Sequence, residues 1–331
     1  MTEEQIIHSK KGQYIIRPYQ KEDAEEVISL WNLVFGKEMS RDIWNWKYTN
    51  NPYGYNILLC VSENKTVAVF YGGISYTANC MGQTVKIANL MDVMAHPEHR
   101  GWMFIKTVKA YYDTYGSPEK LTFLYGFPGE KHYIIGQKLL RYKKLEKGLT
   151  YLLANAADNA TCGSHFGNYI RKTEKADGAF GLLWNKCADA YPFAVIRDDR
   201  FMQWRFFDHP VHRYEIWGYF SIFSKQLKGY AAVLHENEKI YLIDLFVIPC
   251  EKTAKDFLSQ IICQLGKQGK KEIAAWLPTG HFLMNAAISS GFKTAKEPLG
   301  IIPVGMSFDP DVSLNWASEN MFYTMADGDL Y

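Results

Sequence analysis

The segment Trp46-Lys47-Tyr48-Thr49-Asn50-Asn51-Pro52 is written twice in this sequence, the second time as Trp204-Arg205-Phe206-Phe207-Asp208-His209-Pro210. Both copies obey the pattern W-[K/R]-[Y/F]-x-x-[N/H]-P, at an offset of 158 residues. Further along, Leu90-Met91-Asp92-Val93 precedes Pro97, and Leu242-Ile243-Asp244-Leu245 precedes Pro249; the two aspartates and the two prolines each stand 152 residues apart. A helical pattern follows each time. Phe104, Ile105, Val108, Tyr111, Tyr112 and Tyr115 share one face before Gly116, and Ala254, Phe257, Leu258, Ile261, Ile262 and Leu265 share one before Gly266. Spacing of this kind marks a single buried stripe, and a glycine just past it is the usual stop. A short apolar strand then runs to Pro128 in one half and Pro278 in the other, with a short helix after each. Ordered matches with slowly drifting offsets are the signature of a duplication with small loop insertions.

Each unit reads strand, helix, strands, then strand-helix-strand-helix-strand. That order predicts an α/β chain of two tandem domains, each a mixed, partly parallel twisted sheet flanked by helices. The polar, turn-rich passage holding Asn155, Asp158, Asn159, Thr161, Gly163 and Ser164 places the division between 1–157 and 158–331. The composition agrees: 331 residues suit two domains, and 47% hydrophobic residues suffice for two cores. A net charge of +2 lacks the strongly basic character of a dedicated nucleic-acid binder. No stretch reaches the roughly 18 uninterrupted apolar residues of a membrane helix, and the polar start MTEEQIIHSKKGQ has no apolar signal core. The six cysteines are scattered without metal spacing, so buried thiols, no metal and a cytoplasmic location are expected.

The first half resembles the GNAT acyltransferase superfamily. Ile15-Ile16-Arg17-Pro18 with Glu22-Asp23-Ala24 is similar to that family's opening strand and first helix. Val93-Met94-Ala95-His96-Pro97-Glu98-His99-Arg100-Gly101 is similar to its fourth strand and the turn after it, and Gly126-Phe127-Pro128-Gly129-Glu130 to a later turn. The second half is similar to tandem relatives through its W-R-F motif and the tail Phe322-Tyr323-Thr324-Met325-Ala326-Asp327. The resemblance implies acetyl-CoA or another acyl-CoA as co-substrate. Its pantetheine arm would pair along Met91, Val93, Met94 and Ala95, and its pyrophosphate would sit at Arg100, Gly101, Trp102, Met103 and Phe104.

Elementary chemistry supports that placement, because a tight turn into a helix N-terminus gathers free N–H groups and a partial positive charge that suit a pyrophosphate. Two departures stand out. Met103 and Ile105 occupy positions where the family pattern has small residues, and Gly136 stands where many members carry a tyrosine able to protonate the leaving thiolate. Tyr133, one turn earlier, or His132 is the substitute candidate acid, with Tyr133 preferred, and Asp92 is the candidate base, directly or through a water. The structural alternatives are a carboxylate paired with a local cation at Asp92, an acid satisfying helix amides at Glu130, and surface or core histidines at His96, His99 and His132. Trp46 and Trp204 read as structural indoles. The basic run Arg141 to Lys147 reads as a solvated face, and the terminal acids as a frayed end.

The second half has Cys250-Glu251-Lys252 where the first has its Arg-Gly turn, so it is expected to lack the cofactor and to form one wall of an acceptor cleft. The leading reading is an acyl-CoA-dependent N-acyltransferase, of N-acetyltransferase type, acting on a small amine such as an amino sugar or another metabolite bound between the domains. The alternatives are a catalytically degenerate GNAT-fold binding module and a FemAB-like transferase using aminoacyl-tRNA, against which the near-neutral charge speaks. The acyl group, the acceptor and the oligomeric state stay open.

Overall fold

A computed structural model describes residues 4–156, 167–237, 239–269 and 272–329. In chain order the first elements are β1 (Gln5–Ser9), β2 (Gly12–Pro18), α1 (Ala24–Phe35), α2 (Arg41–Trp44), β3 (Tyr55–Ser62), β4 (Val67–Cys80), β5 (Gln83–Leu90), β6 (Met94–Ala95), α3 (Trp102–Tyr115), β7 (Phe123–Gly126), α4 (Glu130–Leu139) and β8 (Lys143–Lys144). Then come β9 (Leu149–Asn155), β10 (Asn168–Thr173), α5 (Ala179–Cys187), β11 (Phe193–Val195), α6 (Asp199–Met202), β12 (Glu215–Ser221), β13 (Leu227–Glu236), β14 (Lys239–Val247), α7 (Glu251–Gly266) and β15 (Glu272–Pro278). The chain closes with α8 (Phe282–Ser289), β16 (Lys293–Ala295), β17 (Val304–Ser307), α9 (Leu314–Asn320) and β18 (Met321–Phe322).

The expected division at 157/158 lies outside the described residues. Two compact units are present: residues 1–77, 85–144 and 303–314, and residues 78–84, 145–302 and 315–331. These are not the two halves of the sequence, and hydrogen bonding gives the reason. The first sheet runs β1-β2-β3-β4-β5-β7-β17-β8 and the second β10-β12-β13-β14-β15-β9-β16. Strand β17 lies between β7 and β8, with Val304 opposite both Gly126 and Lys144. Strand β9 lies between β15 and β16, with Leu152 opposite both Ala275 and Thr294. Each sheet thus takes its penultimate strand from the other half of the sequence. Periodicity identifies such strands but is blind to their partners, since it reports only which face is apolar.

The repeated tryptophan motif has one structural job in both copies. Ser40 caps α2 through the Ile43 N–H, and Asp198 caps α6 through the Phe201 N–H. Each short helix then widens into a π turn, Asn45–Thr49 and Gln203–Phe207. The turn after it is closed from the [N/H] position: Asn51 Oδ1 accepts from the Tyr53 N–H, and His209 Nδ1 accepts from Val211 and His212. An amide oxygen and a neutral imidazole nitrogen are interchangeable acceptors here. Burial holds the His209 pKa down at about 3, which keeps the imidazole neutral. Trp46 and Trp204 therefore occupy equivalent places.

The stripe expected on α7 is wholly buried. That on α3 is rotated: Met103, Thr107, Val108 and Tyr111 are its buried residues, while Ile105 is 42% exposed. Among the cysteines, Cys60, Cys80 and Cys187 are buried free thiols and Cys250 is an exposed one. Cys263 is disulfide-bonded, which corrects the expectation of thiols at that position, and Cys162 lies outside the described residues. No described helix is long and apolar enough to cross a membrane.

The tail is no frayed end. Met321 to Gly328 are all buried. Thr324 Oγ1 donates to Asp244 Oδ1 at 2.8 Å, Arg197 pairs with both Asp244 and Asp327, and Arg205 Nε donates to the Ala326 carbonyl at 3.0 Å. An Asp327 carboxylate so enclosed is unavailable to an acceptor amine.

The exchanged strands generate a prediction. Residues 1–157 expressed alone would lack β17 and leave β9 without its ladder. Circular dichroism melting and size-exclusion chromatography should show no cooperative monomeric fold for that fragment, in contrast to the full chain. A sharply melting monomer would contradict the exchange.

Candidate active site

The site grows from the place where two parallel strands part. Strands β5 and β7 pair through Ile87–Phe123, Ala88–Leu124 and Asn89–Tyr125, and the ladder ends there. Beyond it the chain keeps its bonds to β4 alone: the Met91 N–H donates to Gly72 O, and Phe70 and Val69 pair with Met94 and Ala95. Among the described residues, the pairing with β7 does not continue over Met91 to Ala95. A segment of extended ligand with amide groups would meet the hydrogen-bonding demand of such an edge.

Asp92 makes the departure possible. Its φ of +53° is left-handed, uncommon for a residue with a side chain. Its carboxylate is held by three partners: Lys47 Nζ at 2.6 Å and the Tyr48 hydroxyl at 2.6 Å on Oδ2, and Trp31 Nε1 at 3.0 Å on Oδ1. Burial pushes the carboxyl upward, but the Lys47 ammonium, with the hydrogen bonds, outweighs it and leaves Asp92 below the usual carboxylate range. A carboxylate so committed is a poor base. The geometry matches the alternative reading of a carboxylate paired with a local cation, and it places that pair at the left-handed bend. Lys47 and Tyr48, both from the repeated motif, were overlooked as site residues; the buried cation they bring was legible only as the K/R position of that motif.

After Ala95 the chain makes a 3-10 turn over Pro97–His99, then Arg100 in extended conformation, then Gly101 with φ +92°. That φ favours glycine, and nothing lies within 4 Å of the place a Cβ would take, so the turn is open in front. The first helical hydrogen bond of α3 runs from Ile105 N to Gly101 O. The N–H groups of Trp102, Met103 and Phe104 precede it, and no acidic residue lies in the first turn. Met103 buries its side chain in the core, at 6% exposure, so its bulk points away from the turn while its N–H stays.

Three nearby residues, His96, Glu98 and His99, bring possible metal-ligand atoms within 4.8 Å of one another. His96 Nδ1 already accepts from the Glu98 N–H, His99 Nδ1 is bonded to the Tyr14 hydroxyl at 2.7 Å, and Lys11 reaches the Glu98 carbonyl. Burial, with His96 and Lys11 as neighbours, lowers the His99 pKa. A neighbouring ammonium opposes a bound cation. Tyr133 is half-buried on α4, and His132 and Glu130 are exposed there. Gly136 is buried, with the Tyr142 ring against it.

The second copy repeats the parting of strands, the β14–β15 ladder ending at Leu242–Ala275. It lacks the turn. Cys250, with φ −144°, holds the N-cap position of α7 without a side-chain cap bond, and Glu251 puts a negative charge in the first turn.

The sequence profile of the acetyltransferase (GNAT) domain family matches residues 15–133, the stretch that carries the parting strands and the turn. Over that stretch the chain is similar to the GNAT acetyltransferase domain family. No curated protein sequence matches the chain at a significant level. Among solved structures, a conserved protein from Enterococcus faecalis V583 described as a probable N-acyltransferase is similar with a TM-score of 0.70 and 13% identity, over 92% of this chain and 74% of that one. A tandem GNAT protein from the clavulanic acid biosynthesis pathway is similar with a TM-score of 0.57 and 10% identity, over 90% and 99%. Saccharomyces cerevisiae N-myristoyltransferase with bound myristoyl-CoA gives 0.58 and 9%, over 99% and 91%. At these identities the likeness is one of fold, and the fold is that of tandem GNAT proteins.

Removing one partner of a buried pair leaves an uncompensated charge, so Lys47→Met should cost about 3–5 kcal/mol in urea unfolding. Asp92, with its folded pKa below the unfolded value, contributes stability that is present above about pH 4 and is lost as pH falls through the folded pKa. Asp327 has the opposite sign: burial raises its pKa, so its contribution is complete below about pH 4 and is lost as pH rises through the folded pKa. Unfolding free energies of Asp92→Asn and Asp327→Asn across pH should differ from the parent with these two opposite slopes.

Proposed function

We propose that this protein is an acyl-CoA-dependent N-acyltransferase, its thioester held by the N-terminal domain and its acceptor a small amine. The observation that carries the reading is the join of a strand edge at Met91, Val93, Met94 and Ala95, where the pairing with β7 does not continue, to an open, acid-free helix start at Gly101, Trp102, Met103 and Phe104, with Arg100 beside it. The edge suits the amides of a pantetheine arm, and the helix start suits a pyrophosphate. Acetyl-CoA is the simplest co-substrate of this kind.

Acyl transfer needs an amine to attack the thioester carbonyl, with the C–S bond breaking as the C–N bond forms. This chain's contribution is to align the arm along the strand edge and fix the thioester at the bend that Asp92 and Lys47 maintain. The inward-pointing Met103 favours this reading over a degenerate module, since the departure from a small residue does not crowd the turn. The second copy, with Glu251 at the corresponding helix start, is proposed to bind no acyl-CoA.

Titration calorimetry with acetyl-CoA should give one site per chain. Gly101→Asp adds a Cβ at positive φ and a charge facing the pyrophosphate, and should weaken binding by at least about tenfold while the variant retains cooperative melting. Unchanged affinity would remove the turn from the site, and absence of binding in the parent would overturn the acyl-CoA reading.

A further inference from the structure

Trp31 and Phe35 stand one turn apart near the end of α1, which Gly36 stops in a left-handed conformation at φ +65°. Their rings lie 4.9 Å apart at 44°. Trp31 is half-buried and Phe35 is 38% exposed, so the pair presents an aromatic surface to solvent. The surface is held in place, because the indole Nε1 donates to Asp92 Oδ1 at 3.0 Å. Asp92 stands three residues beyond Asn89, the last residue of β5 paired with β7. The rings are thereby tied to the bend at which the thioester is proposed to sit. Charge at that bend is already matched. Lys47 Nζ and the Tyr48 hydroxyl both take Asp92 Oδ2, and the Lys47 and Asp92 side chains are only 7% and 6% exposed.

Both features bear on the acceptor. An aliphatic amine as basic as a lysine side chain is neutral in fewer than about one molecule in 10³ at pH 7, and only the neutral form has the lone pair that attacks a carbonyl. Such an acceptor calls for a carboxylate to hold its ammonium and a base to take its proton, and Asp92 is committed to Lys47. Attraction of an ammonium to an exposed ring face returns only about several-fold. An amine attached directly to an aromatic ring is neutral at pH 7 without help, since the ring draws in the nitrogen lone pair, and its uncharged ring suits the surface of Trp31 and Phe35. We propose that the acceptor is a weakly basic aromatic amine, its ring on Trp31 and Phe35 and its nitrogen at the bend. This rests on the acyl-CoA reading above. In the step, the nitrogen bonds to the thioester carbonyl carbon, the C–S bond breaks, and sulfur keeps the electron pair. The nitrogen loses its proton to solvent and sulfur takes one from solvent, so thioester and amine become amide and thiol.

The test pairs titration calorimetry of acetyl-CoA with thiol release from acetyl-CoA in the presence of 4-methylaniline, benzylamine, glucosamine or hydroxylamine. Benzylamine has nearly the size of 4-methylaniline but a strongly basic nitrogen; hydroxylamine is weakly basic and has no ring. At pH 7 the parent should show a kcat/KM for 4-methylaniline at least about a hundredfold above that for benzylamine and at least about tenfold above that for glucosamine. The 4-methylaniline value should stay flat from pH 7 to 9 while the benzylamine value climbs with the neutral fraction of the amine. Phe35→Ala should lower the ratio of kcat/KM for 4-methylaniline to that for hydroxylamine by at least about fivefold, and Phe35→Tyr, which keeps a ring, should preserve it. A parent that prefers benzylamine or glucosamine, or a ratio unmoved in Phe35→Ala, would overturn the proposal. So would acetyl-CoA binding without turnover of 4-methylaniline. Absence of acetyl-CoA binding would overturn it together with the acyl-CoA reading.

Discussion

The buried ion pair of Lys47 and Asp92 is the constraint on which the first domain's geometry turns. A strand that leaves its parallel neighbour while holding its antiparallel one needs a bend, and here the bend is a left-handed aspartate. That conformation is costly for a residue with a side chain, and a buried carboxylate is costly unless compensated. Lys47, Tyr48 and Trp31 supply the compensation, and two of the three come from the repeated tryptophan motif. The motif therefore does more than pack: its π turn delivers a cation and a phenol to the bend.

The second copy keeps the aspartate and changes its company. Asp244 is fully buried and accepts from Arg197, Tyr230 and Thr324. Arg205, which matches Lys47 in the motif, binds a tail carbonyl instead. The position that braces an open edge in one domain anchors the C-terminal segment in the other. With Glu251 at the start of α7 and no glycine before it, the second domain has turned the same framework toward holding its own tail. A duplicated backbone can diverge in this way because the bend needs a compensated carboxylate but not any particular donor.

Much of this was legible in the amino-acid sequence. The duplication, the α/β class, the two helices with their apolar stripes and the Arg100-Gly101 turn follow from local rules: hydrophobic period, glycine at positive φ and proline at turns act within a few residues of themselves. The rotation of α3 was missed because Ile105 and Met103 are equally apolar, and only packing decides which one enters the core. The partners of Asp92 were missed because they lie 44 to 61 residues away in the chain.

By itself the sequence determined the number of copies, their secondary structure and the place of the Arg100-Gly101 turn, since each is fixed by short-range patterns. Tertiary structure alone decided that β9 and β17 complete sheets begun in the other half, that Asp92 is a brace, and that Tyr142 stands against Gly136. Those outcomes are set by which backbone edges and which cavities happen to be filled. A strand's alternation or a glycine's small size permits many partners and names none.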